Sequence, residues 1–310
     1  MGHAAGVLLA DMSGDPVAHR TRFSIGGVSV EVSGHRAGDA HLVPSLEPFR
    51  VADGPSEISI RVEWARSLSA PPRTQRFDSG TTWRLFETDR GFQFDFNAPV
   101  FGPQPYKRLL IDQSFCEATL QMNEKAFVDF PCESEPLEYP LDELLIMHRL
   151  TQEKAIELHG AGIVRANGEG NLFVGHSGAG KSTTTRLWTS RQDVEILSDD
   201  RIIVRRDTAP GKMRMYGTPW HGEAMFALPG SSTLQRIVIL EHGHGNVLKR
   251  LPSGEAVAEL FARSFVPFHR HEYVAAALQF LQEVADTIPV YRYSFEPDQR
   301  AVDVVLQLHD

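Results

Sequence analysis

The sequence of 310 residues has few of the features that mark secreted, membrane-spanning or nucleic-acid-binding proteins. Its two cysteines, Cys116 and Cys132, are too few for a disulfide framework and lack metal-ligand spacing, so we expect reduced thiols. No apolar run is long enough to span a membrane, and no basic stretch precedes an apolar run near residue 1. The formal net charge is −9, without a basic stripe. We therefore expect a cytoplasmic protein that binds neither membrane nor nucleic acid.

The spacing of apolar residues along the sequence divides the chain into three parts. Residues 1–21 show no period and predict a flexible arm. Residues 22–138 contain short alternating segments, which predict a β-rich domain with an antiparallel sheet and a role as scaffold or in substrate recognition. Its predicted strands cover residues 23–32, 57–64, 82–87, 91–96, 108–111 and 117–122. Prolines then break the pattern, and we expect residues 139–310 to form a second domain.

The second part alternates helical and strand-like patterns. Helices are predicted near residues 141–150, 181–188, 253–265, 271–286 and 299–308, and strands near 155–164, 172–174, 194–200 (continued by 201–206), 213–216, 236–241 and 288–293. Asn167-Gly168 is a typical hairpin turn, so the first two of these strands should pair antiparallel. The fold class expected is α/β of the α+β kind, with a mixed sheet in this part of the chain.

A glycine-rich segment between a strand and a helix carries the strongest motif. Residues 175–182, Gly-His-Ser-Gly-Ala-Gly-Lys-Ser, match G-x-x-x-x-G-K-[ST]. Such a loop turns several backbone N–H groups and a helix amino terminus towards phosphate. The predicted nucleotide contacts are Gly175, His176, Ser177, Gly178, Ala179, Gly180, Lys181, Ser182 and Thr183. We expect Lys181 to be an exposed charge and the Ser182 hydroxyl to bind Mg²⁺.

Two carboxylates and one histidine are the candidates for metal binding and proton transfer. Asp199 and Asp200 follow an apolar strand, 18 and 19 residues after Lys181. One can hold Mg²⁺ and the other can accept a proton from an attacking hydroxyl; alternatively, one acts and the other caps a turn. His159 lies on the strand paired with the loop strand, where it either supports the chemistry or is a satisfied core histidine.

In order and spacing, these segments resemble the catalytic domain of the HPr kinase/phosphorylases, and more distantly the nucleotide core of phosphoenolpyruvate carboxykinases. The resemblance covers about residues 140–245. It implies ATP and Mg²⁺ as cofactors and phosphorylation of a serine hydroxyl. By resemblance, Asp199 would be the base, Asp200 and Ser182 metal ligands, His159 the residue that supports the base, and Lys181 the cation on the phosphates.

The sequence departs from that family at two places. Thr183 stands where the family has a metal-binding glutamate, and residues 217–223 and 228–232 replace its Pro-Gly-Arg-Asn loop. The resemblance is therefore to small HPr-kinase-related kinases that act on acceptors other than HPr: a peptide, a protein or a small molecule such as serine. His221 and Glu223 in the replaced segment are candidates for acceptor or metal contact, or belong to a packed turn.

The favoured function is an ATP- and Mg²⁺-dependent serine-type kinase. A nucleotide-sensing regulator and a carboxykinase-like enzyme are the alternatives. A GTPase is disfavoured because Asn-Lys-x-Asp is missing, and an ABC-type ATPase because Leu-Ser-Gly-Gly-Gln is missing. A homo-oligomer is compatible with the sequence.

Overall fold

The chain forms two mixed sheets and six α-helices, as a computed structural model of residues 18–72, 74–191 and 193–308 shows. The first sheet has eight strands in the order β1-β2-β3-β8-β7-β6-β5-β4. Its strands are β1 (His19–Ile25), β2 (Val28–Gly34), β3 (Ile58–Ala65), β4 (Gln75–Asp78), β5 (Trp83–Thr88), β6 (Gly91–Phe96), β7 (Lys107–Asp112) and β8 (Glu117–Asn123). The expected β-rich first part of the chain is therefore confirmed, with β4 as an additional strand.

The pairing in this sheet differs from the expected antiparallel arrangement. Strand β3 lies parallel to both β2 and β8, and the remaining pairs are antiparallel, so the sheet is mixed. The segment predicted as one strand over residues 23–32 is a hairpin, because Gly26 and Gly27 have φ of 57° and 77° and turn the chain. Residues 19–21, assigned to the flexible arm, lie in β1, and the arm's residues 1–17 lie outside the described part.

One face of the first sheet is buried against helix α2 (Leu141–Leu150). The alternation that predicted the strands supplies this face: in β3, Ile58, Ile60 and Val62 are buried, while Arg61 and Glu63 at alternate positions are exposed. The same core contains Ile203 and Trp220 from the second part of the chain. Hence α2 and its neighbours join the two sheets through a shared core; the division into domains at 138/139 stays a prediction.

The second sheet has nine strands. They are β9 (Ala155–Arg165), β10 (Glu169–Val174), β11 (Val194–Ser198), β12 (Arg201–Arg206), β13 (Met213–Gly217), β14 (Ser231–His242), β15 (Val247–Arg250), β16 (Ser264–Phe265) and β17 (Val290–Phe295). The remaining helices are α1 (Glu124–Asp129), α3 (Lys181–Thr189), α4 (Ser253–Phe261), α5 (His271–Thr287) and α6 (Arg300–Leu306). The predicted α+β class with a mixed sheet is confirmed at this level.

Strand β10 is central to the second sheet. It pairs antiparallel with β9, which confirms the predicted hairpin, and parallel with β14. Since β9 also pairs with β12, β12 with β13, and β13 with β14, five strands close into a ring. The glycine-rich loop therefore leaves the sheet beside the carboxyl end of β14, the edge where α/β proteins bind ligands.

Helices cover both faces of this sheet. Along β14, Ile237 and Ile239 pack in a core with α4 and α5, while Val238 and Leu240 pack in another with α3 and α6. Continuous apolar strands of this kind are typical of sheets buried on both sides. Within the described ranges, no helix has the length and hydropathy needed to cross a bilayer.

Candidate active site

The glycine-rich loop joins β10 directly to α3, as the motif predicts. Gly178 and Gly180 have φ of 80° and 102°, a backbone region that disfavours other residues. At Gly180 an added Cβ would lie 2.4 Å from Phe295 Cζ, whereas at Gly178 it would meet nothing within 4 Å. Close packing against β17 therefore requires glycine at position 180 in addition to the turn itself.

Lys181 is buried rather than exposed, which corrects the expectation. It is 7% exposed, and its Nζ donates hydrogen bonds to the carbonyl oxygens of Gly175 at 3.0 Å and His176 at 3.2 Å. The loop wraps around the ammonium group and supplies these acceptors. Burial lowers the pKa of Lys181, and the nearby Asp200 carboxylate offsets part of this effect.

The outer side of the loop is open to solvent. His176, Ser177 and Gly178 are exposed, and Ser182 and Thr183 at the start of α3 are half-buried. His242, at the end of β14, has Nε2 2.6 Å from the Gly178 carbonyl oxygen and braces the loop from the neighbouring strand. The loop thus presents its backbone and a helix amino terminus to the surroundings.

The glycine-rich loop and the bend that carries Asp199 and Asp200 meet at two residues of β9. The Gly175 N–H donates to the His159 carbonyl at 3.3 Å, and the Gly160 N–H donates to the Asp200 carbonyl at 3.0 Å. His159 therefore lies beside both segments, as its place on the paired strand predicts.

Asp199 is a structural anchor in this arrangement. Its side chain is 1% exposed and accepts hydrogen bonds from the backbone N–H groups of Gly222 (3.0 Å), Ala224 (2.8 Å) and Phe226 (3.2 Å). These three donors fix the segment after β13 and leave the carboxylate enclosed. His159 contacts the neighbouring Asp200, and the expected role of Asp199 as the base stays a prediction.

Asp200 has the contacts that were expected of Asp199. Its Oδ1 lies 2.9 Å from His159 Nε2, and its Oδ2 forms an ion pair with Arg201. Burial alone would raise the pKa of Asp200, but His159 and Arg201 outweigh burial and hold the pKa below its usual range. The side chain of Asp200 is 25% exposed, so an ionised carboxylate remains accessible beside the loop.

Arg201, which the sequence reasoning missed, connects Asp200 to a buried pair of acids. Its Nε lies 3.1 Å from Glu143 Oε1 and 3.3 Å from Glu157 Oε1, and its guanidinium stacks 4.0 Å from the Phe265 ring centroid. Position 201 opens an apolar strand, Arg-Ile-Ile-Val, so periodicity alone gives no functional signal.

Arg263 is a second cation that the sequence reasoning missed. It is 8% exposed, its Nη1 pairs with Glu259, and its carbonyl accepts the His159 N–H at 2.8 Å. The charge of Arg263 lowers the pKa of His176 in the loop, with burial as the second cause. Together with Lys181, it makes the surroundings of the loop favourable to an anion.

His221 and Glu223 are both exposed in the segment that Asp199 anchors. His221 Nδ1 lies 3.1 Å from the Gly222 carbonyl oxygen. A Cβ added at Gly222 would lie 3.3 Å from Asp200 Cβ, so this segment borders the second carboxylate. The structure brings both predicted residues to the edge of the site.

The donor set for a metal is small. Among the residues that the structure describes, no group of three or more His, Cys, Asp or Glu side chains is arranged to hold a metal ion. Ser182 and Asp200 provide one hydroxyl and one carboxylate, which suits an Mg²⁺ ion that keeps several waters and arrives with nucleotide phosphates. A metal held by protein side chains alone does not fit this donor set, and the assignment of Ser182 and Asp200 as Mg²⁺ ligands stays a prediction.

Cys116 is half-buried, Cys132 is exposed, and neither forms a disulfide within the described residues.

A scan against protein-family models finds no matching family, and a search of curated proteins finds no match.

Proposed function

We propose that the chain is an ATP- and Mg²⁺-dependent kinase with an HPr-kinase-like phosphate-loop core, which transfers the γ-phosphoryl group to a serine-type hydroxyl. The observation that carries the proposal is the junction at His159–Gly160, where the glycine-rich loop meets the ionised Asp200. A phosphate site next to an accessible carboxylate is what phosphoryl transfer to a hydroxyl requires.

The loop supplies the phosphate binding in this proposal. The phosphates would bind to the amino terminus of α3 and to loop N–H groups other than those of Gly175 and Ala179, which donate to carbonyl oxygens of the protein. Lys181 exchanges its two carbonyl contacts for phosphate oxygens, and Arg263 adds positive potential. Ser182 would hold Mg²⁺, which would supply positive charge beside the phosphates; Asp200 is the second candidate ligand, as the alternative to its role as the base.

The acceptor is proposed to bind on the Asp200 side of the loop. Asp200, held by His159, accepts the hydrogen bond and then the proton of the attacking hydroxyl. His221 and Glu223, at the edge of the same site, are proposed to contact the acceptor. Asp199 holds the segment that carries them. We propose a peptide, protein or small-molecule acceptor and a cytoplasmic location.

The proposal is tested with Lys181→Met, which keeps the aliphatic stem of the side chain. ATP binding in Mg²⁺ is measured by calorimetry, and transfer of labelled γ-phosphate is measured with free serine and serine peptides. We expect Lys181→Met to lose about 10²–10³-fold in turnover, as for other charge-stabilising contacts. Lys212→Met, at an exposed turn, serves as the matched control.

Two results would contradict the kinase. Unchanged ATP binding and transfer in a folded Lys181→Met protein would remove the phosphate-loop assignment. Tight ATP binding by the parent without any acceptor-dependent turnover would instead favour the nucleotide-sensing regulator.

A further inference from the structure

Three aromatic side chains that carry polar atoms meet between helix α2 and the start of α5. His148 lies on α2, His269 lies in the segment before α5, and Tyr273 lies in the first turn of α5. The ring centroids are 5.2 Å apart for the two imidazoles, 5.5 Å for His269 and Tyr273, and 6.2 Å for His148 and Tyr273. We call these three residues the histidine cluster.

Each ring of the histidine cluster buries one polar atom that has no hydrogen-bond partner among the described residues. The atoms are His148 Nε2, His269 Nε2 and Tyr273 Oη, and His148 and Tyr273 are only 1% and 7% exposed. Apolar rings pack around them: Phe92 against His269, and Phe94 and Phe115 against His148. Burying three such atoms in apolar surroundings is costly, so the cluster points to a ligand that all three can bind.

The hydrogen bond on the other side of the His148 ring determines which nitrogen carries the proton. Nδ1 lies 2.6 Å from the Leu144 carbonyl oxygen, and because a carbonyl only accepts, Nδ1 is the donor. Burial lowers the pKa of His148 to about 3 and that of His269 to about 4, so both imidazoles are neutral at pH 7. The buried His148 Nε2 therefore keeps a lone pair and cannot donate. A neutral imidazole held in this way through Nδ1 is typical of a histidine that binds a metal through Nε2.

The distance between the two imidazoles suits a metal ion better than a water molecule. An ion about 2.05 Å from both Nε2 atoms, on the axis of each ring, subtends about 109° between centroids 5.2 Å apart, which is the tetrahedral angle. A water about 2.9 Å from both nitrogens would subtend only about 80°. The Tyr273 centroid, at 5.5 and 6.2 Å, lies at a distance from which its longer side chain brings Oη to the same ion.

We propose that the histidine cluster binds a divalent transition metal ion such as Zn²⁺ through His148 Nε2, His269 Nε2 and Tyr273 Oη, and that the ion ties α2 to α5. The phenol proton of Tyr273 passes to solvent on binding, and a water takes the fourth position. Burial raises the pKa of Tyr273, but Arg270, 5.9 Å from its ring centroid, opposes that rise, and a bound cation opposes it further.

Two imidazoles and a phenol differ from the sets of three His, Cys, Asp or Glu side chains considered for Mg²⁺. Imidazole nitrogen favours Zn²⁺, Cu²⁺ or Ni²⁺ over Mg²⁺, so the two metal sites would take different ions. His269 is half-buried, which gives the ion a path from solvent. The inference does not depend on the proposed kinase, because neither ATP nor Asp200 takes part in it.

The test measures Zn²⁺ binding to the full chain, after dialysis against EDTA, by calorimetry and by melting temperature. His148→Phe keeps an aromatic ring beside Phe115 and removes both nitrogens, and Tyr273→Phe removes Oη alone. His271→Phe is the matched control, because the His271 side chain is 90% exposed and lies outside the cluster. Co²⁺ in place of Zn²⁺ reports four-coordinate geometry through its visible absorption.

We expect the parent and His271→Phe to bind one Zn²⁺ and to gain about 5 °C in melting temperature when Zn²⁺ exceeds Kd about 100-fold. His148→Phe should lose at least about 100-fold in affinity, together with that gain, and Tyr273→Phe should lose about 10-fold. If His148→Phe does not fold, His269→Phe makes the same comparison from the half-buried side of the cluster. A parent that binds no Zn²⁺ would show that the cluster holds only water, and would overturn the proposal. So would Zn²⁺ affinity equal to the parent's in a folded His148→Phe or His269→Phe protein.

Discussion

The glycine-rich loop and the bend that carries Asp199 and Asp200 lie side by side, yet different parts of the chain hold them in place. The loop is fixed mainly by its own residues, with His242 as an additional brace: Lys181 bonds to the carbonyls of Gly175 and His176, and Gly180 makes the turn into α3. The bend is fixed by residues that follow 23 to 27 positions later in the chain, whose N–H groups enclose Asp199. Local sequence therefore determines the conformation of the glycine-rich loop. Tertiary contacts determine the role of each carboxylate in the bend.

The largest expected effect separates the two carboxylates. Asp200→Asn should lower turnover about 10²–10⁴-fold, because an amide accepts no proton, and should cost less stability than Asp199→Asn because Asp200 is 25% exposed. Asp199→Asn should instead lower the free energy of unfolding by about 2–3 kcal/mol, because three buried N–H groups lose a charged acceptor. Steady-state turnover and urea denaturation of both variants measure the contrast.

An Mg²⁺ titration of the same variants distinguishes between two possible roles of Asp200, as the base and as a metal ligand. A lower maximal rate at an unchanged Mg²⁺ requirement assigns Asp200 as the base, whereas a raised requirement assigns it as a metal ligand. If Asp199→Asn were fully stable but inactive, Asp199 would regain the role of base that the sequence predicts for it.

A smaller effect is expected within the loop, between its two glycines with positive φ. Both Gly178→Ala and Gly180→Ala should lose about 1–2 kcal/mol from the left-handed backbone. Gly180→Ala should lose at least about 1 kcal/mol more, since its Cβ would collide with Phe295. Urea denaturation compares the two proteins. Equal losses would mean that the packing between the loop and β17 relaxes freely.

The sequence predicts the structure of the glycine-rich loop, but it does not predict which carboxylate at the bend pairs with His159. The loop, the hairpin before it and the start of α3 follow from glycines, turn residues and apolar period, all within about 30 residues of one another. The pairing of His159 with Asp200 instead of Asp199 depends on which of two neighbouring side chains turns inwards at a bend. Alternation at a strand end gives no preference between them.

The same limit applies to the cations and to the first sheet. Arg201 opens an apolar strand and Arg263 follows an amphipathic helix, so neither stands out by pattern. Both become site residues only because β12 and the end of α4 pack beside β9. In the first sheet, alternation identifies β3 as a strand, but its parallel partners β2 and β8 are separated from it by long connections. The alternation of apolar and polar residues does not predict whether neighbouring strands run parallel or antiparallel.

The smallest expected effect tests the acids behind Arg201. Glu157 is fully buried, and burial, with Glu143 as the next cause, raises its pKa well above 4.5. Arg201 opposes this rise but is shared with Glu143 and Asp200. Glu157 should therefore keep its proton in the folded protein at a pH where the unfolded chain has lost it.

The sign of the pH dependence follows from that difference. Above pH 4.5 the unfolded state binds fewer protons than the folded state, so stability falls as pH rises towards the folded pKa, by at most about 1.4 kcal/mol per pH unit. Glu157→Gln cannot titrate, so it should match the parent near pH 4.5 and exceed its stability at pH 7. Urea denaturation between pH 4.5 and 8 measures both, with Glu195→Gln, at an exposed position of β11, as the control that keeps the parent's slope. If Glu157→Gln also kept that slope, or were less stable at pH 7, Glu157 would be an ionised partner of Arg201. The bend would then be held by charge pairing on both sides of the guanidinium, and Asp200 would compete with two carboxylates for it.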